Sequence, residues 1–577
     1  MPVTPESPRS GSIDTPASAA AVDGVGNSIC VGTPRFRDSD LAAVNAERGS
    51  LAAWSLAFER HGEHAPAHVE GDFAVAFHDN RGRTFLAVDR FAVHPLCYRM
   101  DAGNIAFSQR ADHLAGISPE LDVQGLFEYL YFHIIPAPRT VFDGVQRLPA
   151  GHALLFEGGR AKVLPWWTPS FDDHPHRGFG ELREEFLHLL RDAITRQLDG
   201  RQVGCFLSGG TDSSTVAGLL GQVTGAPART FSIGFDAEGY DEMEYARIAA
   251  RHFHTDHHEY YITPDDLVRG IPEIAGYYDQ PFGNSSAVAA YYCAKNAKSE
   301  GVQRMLAGDG GDELFGGNTR YAKQQVFGWY DSIPDPLKRI IKPALCGWSG
   351  PGRIPILRKA ASYVEQADVP MPGRLQTYNL LLRLGLDEIL TPAMRAQSDA
   401  GAPLLQQREV WRRPQTTSLV NRMLAFDWKY TLADNDLPKV RGSADLAGIA
   451  TGFPLLDDRL VDFSLRLDPR YKLRRLKLRW FFKEALRGFL PDAILAKKKH
   501  GFGVPFGVWT TRHAGLRTLA QQSMRSLAER NIVRKTFIDA LLVRHLPEHP
   551  AYYGEMVWIL MMLERWLQVH APDWRLA

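Results

Sequence analysis

From Leu182 onward the chain keeps a regular alternation of helical and strand-like segments. The amphipathic stretch Leu182–Leu198 precedes the apolar run Val203-Gly204-Cys205-Phe206-Leu207, and a Gly/Ser loop leads into a helical stretch, Ser213–Leu220. Strand-like Ala228–Ile233, helical Glu242–Phe253, strand-like His258–Ile262, helical Ala287–Ser299 and strand-like Val302–Leu306 follow. Buried strands separated by helices predict an α/β domain, a parallel sheet with helices on both faces. Such sheets bind ligands at the carboxyl ends of their strands. Two glycine-rich loops fall at such ends.

The first is Leu207-Ser208-Gly209-Gly210-Thr211-Asp212-Ser213-Ser214. Its glycines let backbone amides turn toward a ligand without a Cβ in the way, and its serines add hydroxyl donors. The next helix supplies unpaired N–H groups and partial positive charge. That combination suits an anion such as pyrophosphate. Asp212 inside an anion site is repulsive unless it holds a cation, and Mg²⁺ prefers hard oxygen ligands of this kind. A plain turn with a capping Ser or Asp is the bland alternative. The complete string after a buried strand argues against it. No GK[ST] follows, so this is not a Walker A loop.

The second loop, Leu306-Ala307-Gly308-Asp309-Gly310-Gly311-Asp312-Glu313-Leu314-Phe315-Gly316-Gly317, sets three carboxylates within five residues on a backbone freed by five glycines. Such density points to metal binding or acid–base chemistry. The alternative is an acidic helix start that complements the dipole. Asp312 is expected to join Asp212 as a Mg²⁺ ligand from a neighbouring strand end, with Asp309 facing the reacting groups.

The remainder of the chain divides around this domain. Residues 1–28, rich in Ser, Pro, Ala and Gly, read as a disordered tail without the basic start and apolar stretch of a secretory signal. Residues 29–165 read as short strands and turns, with a hairpin formed by Gly71–Asp79 and Thr84–Asp89. The domain spans 178–577, and beyond Phe327 it reads mainly helical. Lysine plus arginine (66) equals aspartate plus glutamate (66), so neither a general nucleic-acid binder nor a membrane-surface binder is expected. No long apolar run predicts a membrane span. Cys30, Cys97, Cys205, Cys293 and Cys346 form no CxxC pair, which leaves no disulfide framework or zinc site and makes a reducing cytoplasm the expected location. The segment His252-Phe253-His254-Thr255-Asp256-His257-His258-Glu259 reads as a helix end and a strand start rather than a metal site.

The first loop resembles the PP-loop of the ATP pyrophosphatases. Both loops, about 100 residues apart, resemble the synthetase domain of class B asparagine synthetases. Further strings fit this resemblance: Phe231-Ser232-Ile233-Gly234-Phe235, Asp279-Gln280-Pro281-Phe282, Pro454-Leu455-Leu456-Asp457-Asp458-Arg459-Leu460, and Lys497-Lys498-Lys499-His500-Gly501-Phe502-Gly503-Val504-Pro505. The resemblance implies an N-terminal degenerate Ntn-type glutaminase-like (αββα) domain. It further implies a C-terminal PP-loop, adenine nucleotide α-hydrolase-like synthetase domain with a helical extension. By the same resemblance Ser208, Gly209, Gly210, Asp212, Ser213 and Ser214 would bind the ATP phosphates, and Leu207, Ile233 and Gly308 would line the adenosine. Asp212 and Asp312 would hold Mg²⁺. Asp309 stands where the family has its base, and Lys499 would stabilise charge developing on the adenylate and pyrophosphate. Lys497 and Lys498 read as a solvated basic turn.

Two departures from the family pattern sharpen the expectation. Glutamine-dependent members carry a catalytic cysteine at position 2, where this chain has Pro2, and Cys30 falls within a strand-like segment. Without a thiolate there is no γ-glutamyl thioester and no ammonia from glutamine. Where the family has LExRxPFLD, this chain has Ala450 and Gly452 in place of Glu and Arg, which predicts a pocket opened for a substrate larger than aspartate. Cysteine-less relatives include the β-lactam synthetases, with a tyrosine base absent here, and the lasso-peptide macrolactam synthetases. The latter use an amine already on the peptide, so ring closure is intramolecular. The resemblance therefore implies a ligase that adenylates a carboxylate and closes a macrolactam. A leader-peptide-binding protein and a protease are its expected partners. An ammonia-using asparagine synthetase and a non-catalytic scaffold are the alternatives.

Overall fold

The computed structural model describes residues 28–577 except 118, 176, 332, 335, 339–362 and 499–502. Apart from Ser28, the expected tail lies outside the described residues, as do Cys346 and Lys499.

In the N-terminal module five antiparallel strands lie in the order Ser28–Gly32, Phe73–His78, Thr84–Val88, His152–Glu157, Arg160–Pro165. Alternation along Phe73–His78 sends Phe73, Val75 and Phe77 to one face, against Trp54 and Phe58 of the helix Ser50–His61. Ala74 and Ala76 point the other way, toward Tyr98 and Phe107 of a second, three-stranded sheet. The far face of that sheet, through Cys97 and Val145, shares a large core with the helix Val123–Phe132. Helix, sheet, sheet and helix thus stack in the expected αββα order.

The second domain carries a fully parallel sheet in the spatial order Asp256–Ile262, Arg229–Phe235, Val203–Phe206, Arg304–Leu306, Ala450–Gly452. The helices Phe179–Thr195, Thr211–Thr224 and Met243–Phe253 cover one face, and Ser286–Ser299 and Leu437–Leu446 cover the other. Strand order reverses between Val203–Phe206 and Arg304–Leu306, which makes their carboxyl ends the topological switch point where open α/β sheets take ligands. Both glycine-rich loops leave from these two strands.

The helical extension closes the core. The helix Pro550–His570 buries Met556 through Leu563 and crosses Phe506–Arg512 at paired glycines. A Cβ on Gly507 would lie 1.9 Å from the Pro550 carbonyl oxygen. Among the described residues no helix is long and apolar enough to cross a membrane.

Buried polar contacts join the two domains. Asp457 pairs with Arg35 of the N-terminal module (3.3 Å) and is held by Arg196 of its own domain (2.9 Å), while Asp458 takes Arg90 (2.9 Å) and the amide of Gly71 (2.6 Å). Asp279 accepts the amide of Ala111 (2.7 Å), and Gln280 accepts that of Val141 (3.2 Å). Two of the family-like strings are therefore domain anchors.

Candidate functional site

The first loop is pinned where it begins. The Leu207 amide donates to the Phe231 carbonyl (2.9 Å), and its own carbonyl accepts the Ser232 hydroxyl. The Ser208 amide and hydroxyl meet the Ser213 hydroxyl at 3.2 and 3.0 Å. Gly209 has φ +67°, and a Cβ there would sit 2.3 Å from the backbone of Tyr245. Only glycine meets both demands. Gly210 caps the helix Thr211–Thr224 without a side chain, and the buried Ser214 hydroxyl has no hydrogen-bond partner among the described residues. Uncapped helix amides, a spare hydroxyl and a glycine cradle fit a phosphate group.

The acidic loop abuts the first. A Cβ on Gly308 would lie 2.8 Å from the Ser213 amide, and one on Gly311 would lie 2.0 Å from the Asp212 carboxylate. The structure thus brings Ser208, Gly209, Gly210, Asp212, Ser213, Ser214, Gly308, Asp309 and Asp312 to one place. Leu207 is at the end of its strand, and Ile233, paired with Tyr260, lies near the end of the neighbouring one.

Asp212 and Asp312 converge on a cation, and that cation is Arg479. Its Nη1 reaches the Asp212 Oδ2 (2.6 Å), the Asp312 Oδ1 (2.8 Å) and the Thr211 hydroxyl (2.9 Å), and Nη2 also binds Asp212. The guanidinium lies 4.1 Å over the Phe482 ring. Two carboxylates aimed at one buried point are a donor set that suits Mg²⁺, with Arg479 as the positive charge between them here.

Asp309 meets a different environment. Burial, reinforced by the nearby carboxylates of Asp436 and Asp212 and opposed by Lys439, pushes its carboxyl up to about 6. Lys439 lies 4.0 Å from Asp309 and 2.8 Å from Asp436. A carboxyl held near neutrality suits proton transfer.

Three residues escaped the sequence reading. Arg479 sits in a basic cluster with Arg474, Arg475 and Lys477 that looks like ordinary surface. Lys439 was accessible in principle, because Asp436 and Lys439 form an i,i+3 pair at helical spacing. Lys497 is not a solvated turn residue. It is 9% exposed, lies over the Tyr245 ring, and reaches Glu242 (3.1 Å) and the carbonyls of Ser208 (3.4 Å) and Gly209 (3.5 Å).

One further expectation is corrected. Gly452 does not open a pocket, because a Cβ there would meet Gln197 at 2.4 Å and Leu306 at 2.8 Å. Arg304 (2.7 Å from Gln197) and Gln197 fill the space. The histidine-rich segment is a helix end and a strand, with His258 stacked on Phe231 at 4.8 Å.

A parallel α/β sheet whose switch point carries a phosphate-type loop beside an acidic loop defines a nucleotide-dependent synthetase domain. The asparagine synthase family model matches residues 185–568 and the glutamine amidotransferase domain model residues 55–167, so the chain belongs to the asparagine synthase family. It is a ligase whose chemistry is ATP-dependent amidation. A protein of Mycobacterium bovis named putative asparagine synthetase [glutamine-hydrolyzing] is 27% identical over 91% of this chain and 80% of its own length. Asparagine synthetase [glutamine-hydrolyzing] 1 of Bacillus subtilis is 24% identical over 89% and 80%. Amidase chyE of Penicillium rubens is 25% identical over 77% and 71%.

Proposed function

We propose that this ligase joins a carboxylate and an amine carried by one peptide and so closes a macrolactam. The observation that carries the reading is the state of the thiols. Cys30, Cys97, Cys205 and Cys293 are the cysteines among the described residues, and burial raises each thiol, Cys30 to about 11. None of these four is primed to attack glutamine at neutral pH, which supports an amine from another source. The amidation loops, by contrast, are packed whole.

Each residue takes one role in this reading. The amides of the Ser208–Gly210 turn and the start of Thr211–Thr224 hold the ATP phosphates, and Leu207, Ile233 and Gly308 flank the adenosine. Asp212 and Asp312 would hold Mg²⁺, which would supply positive charge against the departing pyrophosphate. The substrate carboxylate displaces pyrophosphate from ATP. The amine nitrogen then attacks the activated acyl carbon, AMP leaves, and Asp309 takes the proton that the nitrogen loses. Lys439 keeps Asp309 within reach of ionisation, and Lys499 offsets charge on the leaving phosphate. A leader-binding protein and a protease are the partners such a peptide pathway requires.

A cavity of about 260 Å³ lined by Tyr131, Phe132, His133, Tyr378, Tyr430 and Glu555 supports a substrate larger than aspartate. Hydrogen bonds link its wall to the segment that carries Asp436. The Gly283 amide donates to the His133 carbonyl (2.9 Å), and Asn284 donates to Asn435 (3.0 Å), the neighbour of Asp436.

The relatives named asparagine synthetase [glutamine-hydrolyzing] favour a second reading, asparagine synthesis, here with ammonia in place of glutamine as the nitrogen source. One assay separates the two. The purified chain is incubated with ATP, MgCl₂ and either a candidate precursor peptide or aspartate with ammonium chloride. AMP and pyrophosphate released only with peptide, together with a product lighter by one water, supports macrolactam closure. Turnover with aspartate and ammonium overturns it.

A further inference from the structure

Three side chains from consecutive elements meet in the N-terminal module. Asp38 stands at the N-cap of the helix Ser39–Arg48, yet its carboxylate makes no capping hydrogen bond. An Asp in that position ordinarily accepts a helix amide. Here it faces two imidazoles instead. The Nε2 of His61, the last residue of the helix Ser50–His61, lies 3.3 Å from its Oδ2. The Nδ1 of His68, which ends the turn Gly62–His68, lies 3.7 Å from its Oδ1. The two rings stack with centroids 3.7 Å apart and planes 11° apart, and one ligand atom from each of the three residues lies within 4.8 Å of the other two.

We infer that Asp38, His61 and His68 form a binding site for a divalent transition-metal ion of the zinc type. Zinc–nitrogen bonds of about 2.0–2.1 Å in a tetrahedron put neighbouring ligand atoms roughly 3.3 Å apart, close to the separations found. Two imidazoles and one carboxylate select Zn²⁺ or its neighbours over Mg²⁺, which prefers oxygen alone. The nearby arginines do not oppose the ion, since Arg60 pairs with Asp40 and Arg37 with Glu70 (3.1 Å). All three ligands are partly exposed, so an ion enters from solvent and keeps one position for water. Binding requires the stacked rings to part and turn until the plane of each contains the ion, and their partial exposure leaves room for that movement. Bound metal would tie together the two helices and the turn that follow the first strand. This site is independent of the amide chemistry.

The test uses the full chain. Zn²⁺ binding is measured by calorimetry and by metal analysis after dialysis, and Co²⁺ substitution is followed by its visible absorption. The expected result is one ion per chain, with a tetrahedral Co²⁺ spectrum and a raised melting temperature. H61Q, H68Q and D38N should each weaken binding by at least about tenfold, while their metal-free melting temperatures stay at the unsubstituted value. No binding, or binding that the three substitutions leave unchanged, overturns the site.

Discussion

Cys30 of the N-terminal module lies in a strand paired with Val75, and burial holds its thiol at about 11. Asp309 of the synthetase domain sits at a strand end, and burial holds its carboxyl at about 6. The same physical cause, loss of water around an ionisable group, disables the first and tunes the second. The difference lies in position and in neighbours. Cys30 is part of a sheet, and burial is the cause of its shift. Asp309 is on a glycine-rich loop at the switch point, 4.0 Å from Lys439. Outside that loop the charges serve adhesion: Asp457 and Asp458 bind arginines of the N-terminal module and hold it on the synthetase domain. Ionisable groups at the seam thus keep the molecule assembled, and those at the switch point are placed for chemistry.

The sharpest way to break this contrast is to remove the cation at the switch point. Arg479→Gln removes the buried guanidinium that Asp212 and Asp312 share, at an expected cost of about 3–5 kcal/mol in unfolding free energy. Millimolar Mg²⁺ should restore much of the loss, because the two carboxylates regain a cation. Chemical denaturation with and without MgCl₂ reads both effects. A variant that melts identically in either condition would show that these carboxylates do not form a divalent-ion site.

Next in size is Asp212→Asn. It keeps the shape of the loop and removes one charge from the pair, and AMP formation should fall about 10²–10³-fold, as when one electrostatic group is lost from an active site. A pyrophosphate-release assay measures this. Activity within a few fold of the unsubstituted enzyme would move the phosphate site elsewhere.

Much of this site was legible before the fold. The strings Ser208–Ser214 and Gly308–Gly317 carry their chemistry in residue type and local order, and each follows a run apolar enough to be a buried strand. The helical extension and the module of short strands were equally readable from periodicity. What escaped depends on distant segments. Arg479 is 267 residues from Asp212, and nothing in its basic neighbourhood distinguishes a guanidinium that will be buried. Gly452 misled for the complementary reason. A missing side chain reads as space, but Gln197 and Arg304 had already filled it. The three-residue strand Ala450–Gly452 was too short for any periodicity to register.

A smaller effect concerns Asp309. Its carboxyl is raised to about 6 from an unfolded value near 3.9, so between those values the native state holds a proton that the unfolded chain has lost. Stability therefore declines as pH rises through that window and is level above it. Asp309→Asn should be more stable than the unsubstituted protein at pH 7, by on the order of 1–3 kcal/mol, and equal to it near pH 4. Catalysis runs the opposite way. Asp309 must be ionised to take a proton, so kcat should fall about tenfold per unit below pH 6. A flat profile from pH 5 to 8 would remove Asp309 from the proton-transfer step.

The smallest expected effect lies in the other half of the comparison. Cys30→Ser should change amide formation less than about twofold, because a thiol at about 11 is almost wholly protonated at neutral pH and does not act as a nucleophile. The measurement is glutamate release from glutamine beside AMP formation from the carboxylate substrate, in both proteins. If glutamine supports amidation and Cys30→Ser abolishes that support, the N-terminal module is a working glutaminase and the contrast between the halves collapses. If glutamine supports neither protein equally, the amine comes from the substrate or from free ammonia. The module then serves as the body against which Asp457 and Asp458 hold the synthetase domain in register.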